Sequence, residues 1–289
     1  MIGGVLTISG ERRWDGFFVG VEKIQFEPGA KLVFTQKAMN MGGDLYILAK
    51  EIISVSQTNP GTITWERPPL DVPPAKGSAT AGGGYPGDDR AGNPGSNGDI
   101  GNMGYRGADA PRLTLVAQKT TGPVLVRMDG ANGGQGGKGQ TGGRGGPGGN
   151  GHPASQDLVN CRRGAGDGGP GGKGGDGGPG GPGGTGGNGG TFTVITAADN
   201  VALATTLFRV TLTPGAGGTG GPAGDPGLGG DGGQGGQEAL PWCRGNGSAG
   251  PTGPAGAPGA VGKPGVAGVA GNYLVGALGP TDVDRVLTQ

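Results

Sequence analysis

The chain has 289 residues, 77 of them glycine and 24 proline, with 22 basic and 22 acidic side chains. Glycine and proline above a third of the chain belong to collagen-like or low-complexity material, and 32% hydrophobic with 4% aromatic residues argue against one large conventional core. A net charge of zero gives no footprint for nucleic acid or an anionic membrane, and no run nears the ~20 apolar residues that span a bilayer.

Residues 1–66 hold Trp14, Phe17, Phe18, Phe26, Phe34, Tyr46 and Trp65, seven of the thirteen aromatic residues. Leu6 and Ile8, Ile24 and Phe26, Leu32 and Phe34, Leu45 and Ile47, and Ile63 and Trp65 alternate with polar neighbours. That period predicts half-buried strands. Pro28-Gly29, Gly42-Gly43 and Asn59-Pro60-Gly61 mark turns between them. The first residues lack a basic segment followed by a long apolar one, so no secretory signal is visible.

Residues 67–110 form a Pro/Gly arm pair. The outgoing arm is Pro-rich and reads as extended polyproline II; the return arm, 92–107, has glycine at every third position. Residues 111–129 are a β layer: Leu113 and Leu115, then Val124, Val126 and Met128, a strand pair about Thr121-Gly122-Pro123. Residues 130–190 carry two glycine tracts about a glycine-poor loop, 152–163. Residues 191–213 are a second β layer, with Phe192, Val194, Phe208, Val210 and Leu212. Residues 214–271 carry two more tracts about loop 237–249. The tail, 272–289, holds one further strand, Tyr273-Leu274-Val275. No helix is expected anywhere.

Strand pair, glycine tract, loop and second glycine tract make a repeat. The expected fold is an all-β base of stacked short strands, β-helix- or sandwich-like. About six antiparallel polyproline/polyglycine II rods project from it, and their loops meet at one tip. Polyproline II has no internal hydrogen bonds, so its amides need partners on neighbouring rods. Gly-Gly-X bares two faces of a rod and Gly-X-Y one. Tract 164–190 is therefore expected inside, and 92–107 and 250–271 outside. Asp167, Asp176 and Asp231 read as solvated X residues. Two other readings of such text are a disordered chain and a collagen triple helix.

The Gly-Gly-X runs at 133–149, 166–190 and 215–236 resemble the polyglycine II bundles of T-even-type phage tail-fibre adhesins and snow-flea antifreeze proteins. The likeness is architectural and does not extend to the β layers. It implies a rod bundle, with receptor binding at the rod tip or ice binding as functions.

Cys161 and Cys243 occupy equivalent loops, so a disulfide between them is expected, and with it an oxidising setting. Tyr85, His152, Arg162, Arg163, Trp242 and Arg244 are the candidate binding residues of the tip, because loops on rigid scaffolds commonly carry function. Lys138, Lys173 and Lys263 lack the phosphate-loop spacing. The calcium nonapeptide register fails at Gly178. His152 is a lone histidine without a catalytic context. Asn246-Gly247-Ser248 is a glycosylation sequon.

No catalytic, cofactor or metal site is expected. The leading functional expectation is a non-enzymatic, self-assembling subunit of an extracellular, virion or cell-surface filament. Ile2, Val5, Leu6 and Ile8 at one end and Tyr273, Leu274 and Val275 at the other are its candidate assembly strands. The alternatives are a receptor-binding adhesin and an ice-binding protein. The expected partner is the chain itself or a cell-surface receptor; nucleic acid and a membrane span are not expected.

Overall fold

A computed structural model describes residues 3–85 and 89–288. Its base is two parallel sheets. The first has six strands in the order β1 (Val5–Ile8), β3 (Phe18–Phe26), β5 (Asp44–Ser54), β7 (Arg112–Thr121), β11 (Thr191–Ala197) and β13 (Asn272–Leu278). The second has five, in the order β2 (Glu11–Trp14), β4 (Lys31–Phe34), β6 (Gly61–Trp65), β8 (Val124–Arg127) and β12 (Phe208–Thr211). Two further strands, β9 (Ser155–Gln156) and β10 (Cys161–Arg163), form a small antiparallel ribbon elsewhere.

The chain visits the two main sheets alternately, so the base is a coil. Each turn lays one strand on each sheet, parallel to the strand of the turn before. β7 and β8, expected as a pair, do not pair with each other: β7 pairs with β5 and β11, and β8 with β6 and β12.

Alternation along each strand becomes columns across the sheets. In the first sheet Leu45, Leu113, Phe192 and Tyr273 stack in register, as do Ile47, Leu115, Val194 and Val275. In the second, Leu32, Ile63, Val126 and Val210 stack. These columns face each other and make one continuous buried core. Phe192 sits edge-on to Phe208 at 5.5 Å and stacks on Tyr273 at 5.4 Å. Outside the first sheet, Lys23, Glu51 and Lys119 form a charged column. The hydrogen bond from Lys23 chiefly holds the Glu51 carboxyl below its usual range.

Among the described residues three short α-helices, and a 3-10 turn at Ala198–Asn200 leading into the second, correct the expectation of none. α1 (Gln36–Asn40) is a single turn stopped by Gly42-Gly43. α2 (Val201–Leu207) bridges β11 and β12, and its Ala204 closes one end of the core. α3 (Pro280–Thr288) buries Leu287 with Val116 and Ala197 on the outer face of the first sheet. Its start and polarity are local chemistry. Pro280 needs no amide partner in a first turn, while Asp282 and Arg285 complement the helix dipole.

The glycine-rich tracts leave the second sheet after β6, β8 and β12 and return to the first at β7, β11 and β13. Among the described residues the tracts themselves contain neither helix nor strand. Their amides bond across tracts at regular three-residue intervals. Gly169, Gly172, Gly175, Gly178, Gly181, Gly184 and Gly187 donate to residues 149, 146, 143, 140, 137, 134 and 131, so 164–190 runs antiparallel to 130–151. Gly168, Gly171, Gly174 and their successors donate to residues 248, 251, 254 and onward, so 164–190 runs parallel to 250–271.

Outgoing tracts are parallel to each other and antiparallel to return tracts. Among the described residues, 130–151 and 164–190 each bond to four other tracts, whereas 250–271 bonds to two. The Gly-Gly-X text thus sits where the neighbours are most numerous. At Gly184 the reason is steric: a Cβ there would collide with the carbonyl oxygen of Tyr105.

Candidate functional site at the tract tip and sheet edges

The distal loops of the second and third repeats are fastened to each other. Cys161 and Cys243 form a disulfide with their Cα atoms 4.8 Å apart, closing a separation of 82 residues. Loop 152–163, expected to be irregular, carries the β9–β10 ribbon, because Cys161 pairs with Gln156. In the other loop Ala239 and Cys243 exchange backbone hydrogen bonds of 2.9 and 2.8 Å around a cis Leu240–Pro241 bond. Gln156 joins the two loops. Its amide nitrogen donates to the Leu240 carbonyl, and its carbonyl accepts from the Trp242 amide at 3.0 Å.

The disulfide brings Arg162, Trp242 and Arg244 next to one another through their chain neighbours Cys161 and Cys243, and Arg163 follows in β10. Arg162 pairs with Asp157 at 3.0 Å. The Asp157 carboxyl is held low by the amides of Val159 and Asn160, with Arg162 adding to them. Tyr85 ends the described part of the first outgoing tract, where its neighbour Gly84 packs on Pro147; it stands with the first repeat and not in the disulfide cluster. His152 is a joint between tracts, its carbonyl accepting the Gly166 amide at 2.9 Å.

Sequence reasoning passed over Leu158, Val159 and Leu240, which are exposed in the two linked loops, as Trp242 is. The Leu158–Val159 pair, in a loop with no other large aliphatic residue and no Phe, Tyr or Trp, was the available signal.

It also misread the acidic X residues. Asp176 accepts the Ala257 amide on Oδ1 at 2.8 Å, while the next residue, Gly177, donates to the Ala257 carbonyl at 2.8 Å. Asp167 and Gly168 grip Ser248 in the same way, and Asn97 and Gly98 grip Asp176. Asp231 instead pairs with Arg144 at 2.8 Å. Those three aspartates are ties between tracts, not merely solvated groups.

Asp129 is the corresponding tie where the tracts leave the base. It accepts from the Thr213 amide and from the hydroxyls of Thr213 and Thr211, at 2.8–3.0 Å, and lies 3.6 Å from Arg67. Burial alone would raise its pKa, but these donors outweigh burial and lower it.

At the ends of the first sheet, Val5 and Leu274 are exposed, Leu6, Tyr273 and Val275 half-buried, and Ile8 buried. Ile2 lies outside the described residues. Among the described residues no three His, Cys, Asp or Glu side chains cluster as metal ligands, and no helix is long and apolar enough to cross a membrane.

No family model matches the chain. No curated protein matches it either. Among solved structures, the nine polyproline type II helical bundle springtail antifreeze protein from Granisotoma rainieri is 24% identical, covering 60% of this chain and 97% of that one, with a TM-score of 0.10.

Proposed function

We propose that the tracts form a bundle of six polyproline/polyglycine II rods on the coiled base, and that the chain is a non-enzymatic structural subunit that joins copies of itself end to end. Bonding every third residue supports the rod reading, since polyproline II repeats every three residues. The disulfide supports an extracellular or surface setting, where such bonds persist.

One observation carries the assembly reading. β1 and β13 are opposite edges of a sheet whose strands are all parallel, so β13 of one copy meets β1 of the next with the right polarity. Placing Leu6 against Tyr273 and Ile8 against Val275 would join the Leu6–Ile24–Ile52 and Ile8–Phe26 lines of one copy to the two apolar columns of the other. The second sheet is different. Its column Leu32–Ile63–Val126–Val210 ends at Arg12 on β2, and a charge on that line discourages pairing. Growth is therefore confined to the first sheet.

Negative-stain electron microscopy of the oxidised protein tests this. Filaments or end-to-end oligomers are expected, and Leu274→Lys or Leu6→Lys should return single particles. Single particles from the unaltered chain at every concentration would refute it.

A further inference from the structure

We propose that the disulfide-linked tip is a docking surface for an anionic lipid surface. Asp157 sets up a tight turn: its amide donates to the Asn160 carbonyl at 2.9 Å, and its Oδ1 accepts from the amides of Val159 and Asn160 at 3.0 and 2.7 Å. The turn holds Leu158 and Val159 at its summit, 94% and 64% exposed. The neighbouring turn presents Leu240 and Trp242, 59% and 49% exposed. The disulfide and Gln156 fix the two turns to each other, so four apolar side chains form one pre-ordered crown. Little ordering entropy remains to be lost when such a surface binds.

The charges around the crown point to the partner. Asp157 is neutralised by Arg162, whereas Glu238 accepts the Gly245 amide at 2.8 Å and keeps its charge, so Arg162, Arg163 and Arg244 outnumber these two carboxylates by one. Among the described residues no carboxylate lies within ion-pair distance of Arg163 or Arg244. The chain as a whole is neutral, yet its tip presents exposed Arg163 and Arg244, neither in an ion pair among the described residues, beside projecting aliphatic groups and a tryptophan; Arg244 Nε donates to the Pro241 carbonyl at 3.4 Å. A membrane interface takes that combination. Aliphatic groups and tryptophan enter the headgroup boundary while arginines meet lipid phosphates. The inference does not depend on end-to-end assembly, which uses the other pole of the molecule.

The test is co-sedimentation of the full-length oxidised protein with phosphatidylcholine vesicles, and with vesicles in which phosphatidylglycerol replaces part of that lipid. Binding to the anionic vesicles alone is expected, with a blue shift of tryptophan emission that Trp242→Phe removes. Leu158→Asp with Val159→Asp should abolish binding while leaving the disulfide and the circular dichroism spectrum unchanged. Arg163→Gln and Arg244→Gln should each weaken binding about fivefold. Failure to bind anionic vesicles overturns the proposal, as does binding that the Leu158 and Val159 changes leave intact. Attachment to cells that protease treatment removes, with none to vesicles, would assign the crown to a protein receptor and overturn it too.

Discussion

Asn188 and Val269, 81 residues apart, are held together by a two-way grip. The Val269 amide donates to Asn188 Oδ1 at 2.8 Å, and the amide of Gly189 donates to the Val269 carbonyl at 2.9 Å. Asn132 with Ala216 and Asn150 with Gln234 repeat the pattern between outgoing tracts, 84 residues apart. An Asx residue followed by glycine thus takes both polar groups of one residue on the next parallel tract. Such a grip sets register where otherwise uniform Gly-Gly-X text would let tracts slide by a triplet. Asn188→Ala keeps the main-chain bonds and loses only the side-chain acceptor. It should cost about 1 kcal/mol in denaturant unfolding, whereas Asn188→Asp, which keeps the acceptor, should cost less.

Glycine where tracts meet acts by the absence of a side chain. Gly175 and Gly184 lie in 164–190, a tract with four neighbours, and a Cβ on Gly175 would collide with the carbonyl oxygen of Ser96 and one on Gly184 with that of Tyr105. Gly175→Ala or Gly184→Ala should force tracts apart and cost about 1–3 kcal/mol or more. Thr185→Ala, at a half-buried X position beside Gly184, should leave thermal unfolding nearly unchanged. Equal losses from all three changes would show that close packing of the tracts does not determine stability.

Strand text was legible because burial on one face writes itself as alternation, and Leu45–Ile47 or Phe192–Val194 could hardly be read otherwise. β2 escaped because Glu11-Arg12-Arg13-Trp14 belongs to an edge strand whose positions are mostly exposed. Pairing partners were illegible for a different reason. Leu113 pairs with Phe192, 79 positions on, with β8, two glycine tracts and a loop between them, and no local pattern encodes so distant a neighbour. α3 carries local start and dipole signals in Pro280, Asp282 and Arg285, whereas the expectation for the tail was one strand and no helix. At the tip, the two cysteines could be matched from their equivalent places in the repeat. The crown could not, because exposure of Leu158 follows from the Asp157 turn and not from residue type.

Acid should loosen the junction between base and tracts. The Asp129 carboxyl titrates below its ordinary value in the folded chain. A carboxyl with a depressed folded pKa binds fewer protons folded than unfolded. Its contribution is therefore fully present above the unfolded value, near 3.9, and is lost as pH falls through the lower folded value. Glu51, held low first by Lys23, acts in the same direction. The urea midpoint should fall between about pH 5 and pH 2. Asp129→Asn should be less stable at neutral pH and show a shallower fall. Equal slopes in both proteins would remove Asp129 from the acid response.

Reduction should act on the tip and spare the base. The disulfide closes an 82-residue separation, and for a loop of that length the chain-entropy estimate is roughly 4–5 kcal/mol of stabilisation. Part of that is offset, because the tracts are already joined along their length by hydrogen bonds such as Gly236 to Gly166 and Gly233 to Gly169. In the native state the bond's local task is to hold loop 152–163 against loop 237–249, where Gln156 supplies the other link. Cys161→Ser with Cys243→Ser should therefore speed amide exchange in both loops, with the gain fading within a few triplets toward the base. Exchange in β7 and β11, whose columns pack in the buried core, should stay slow. If those strands exchanged as fast as the loops, the base would depend on the distal disulfide, and the core formed by the two sheets could not be an independent source of stability.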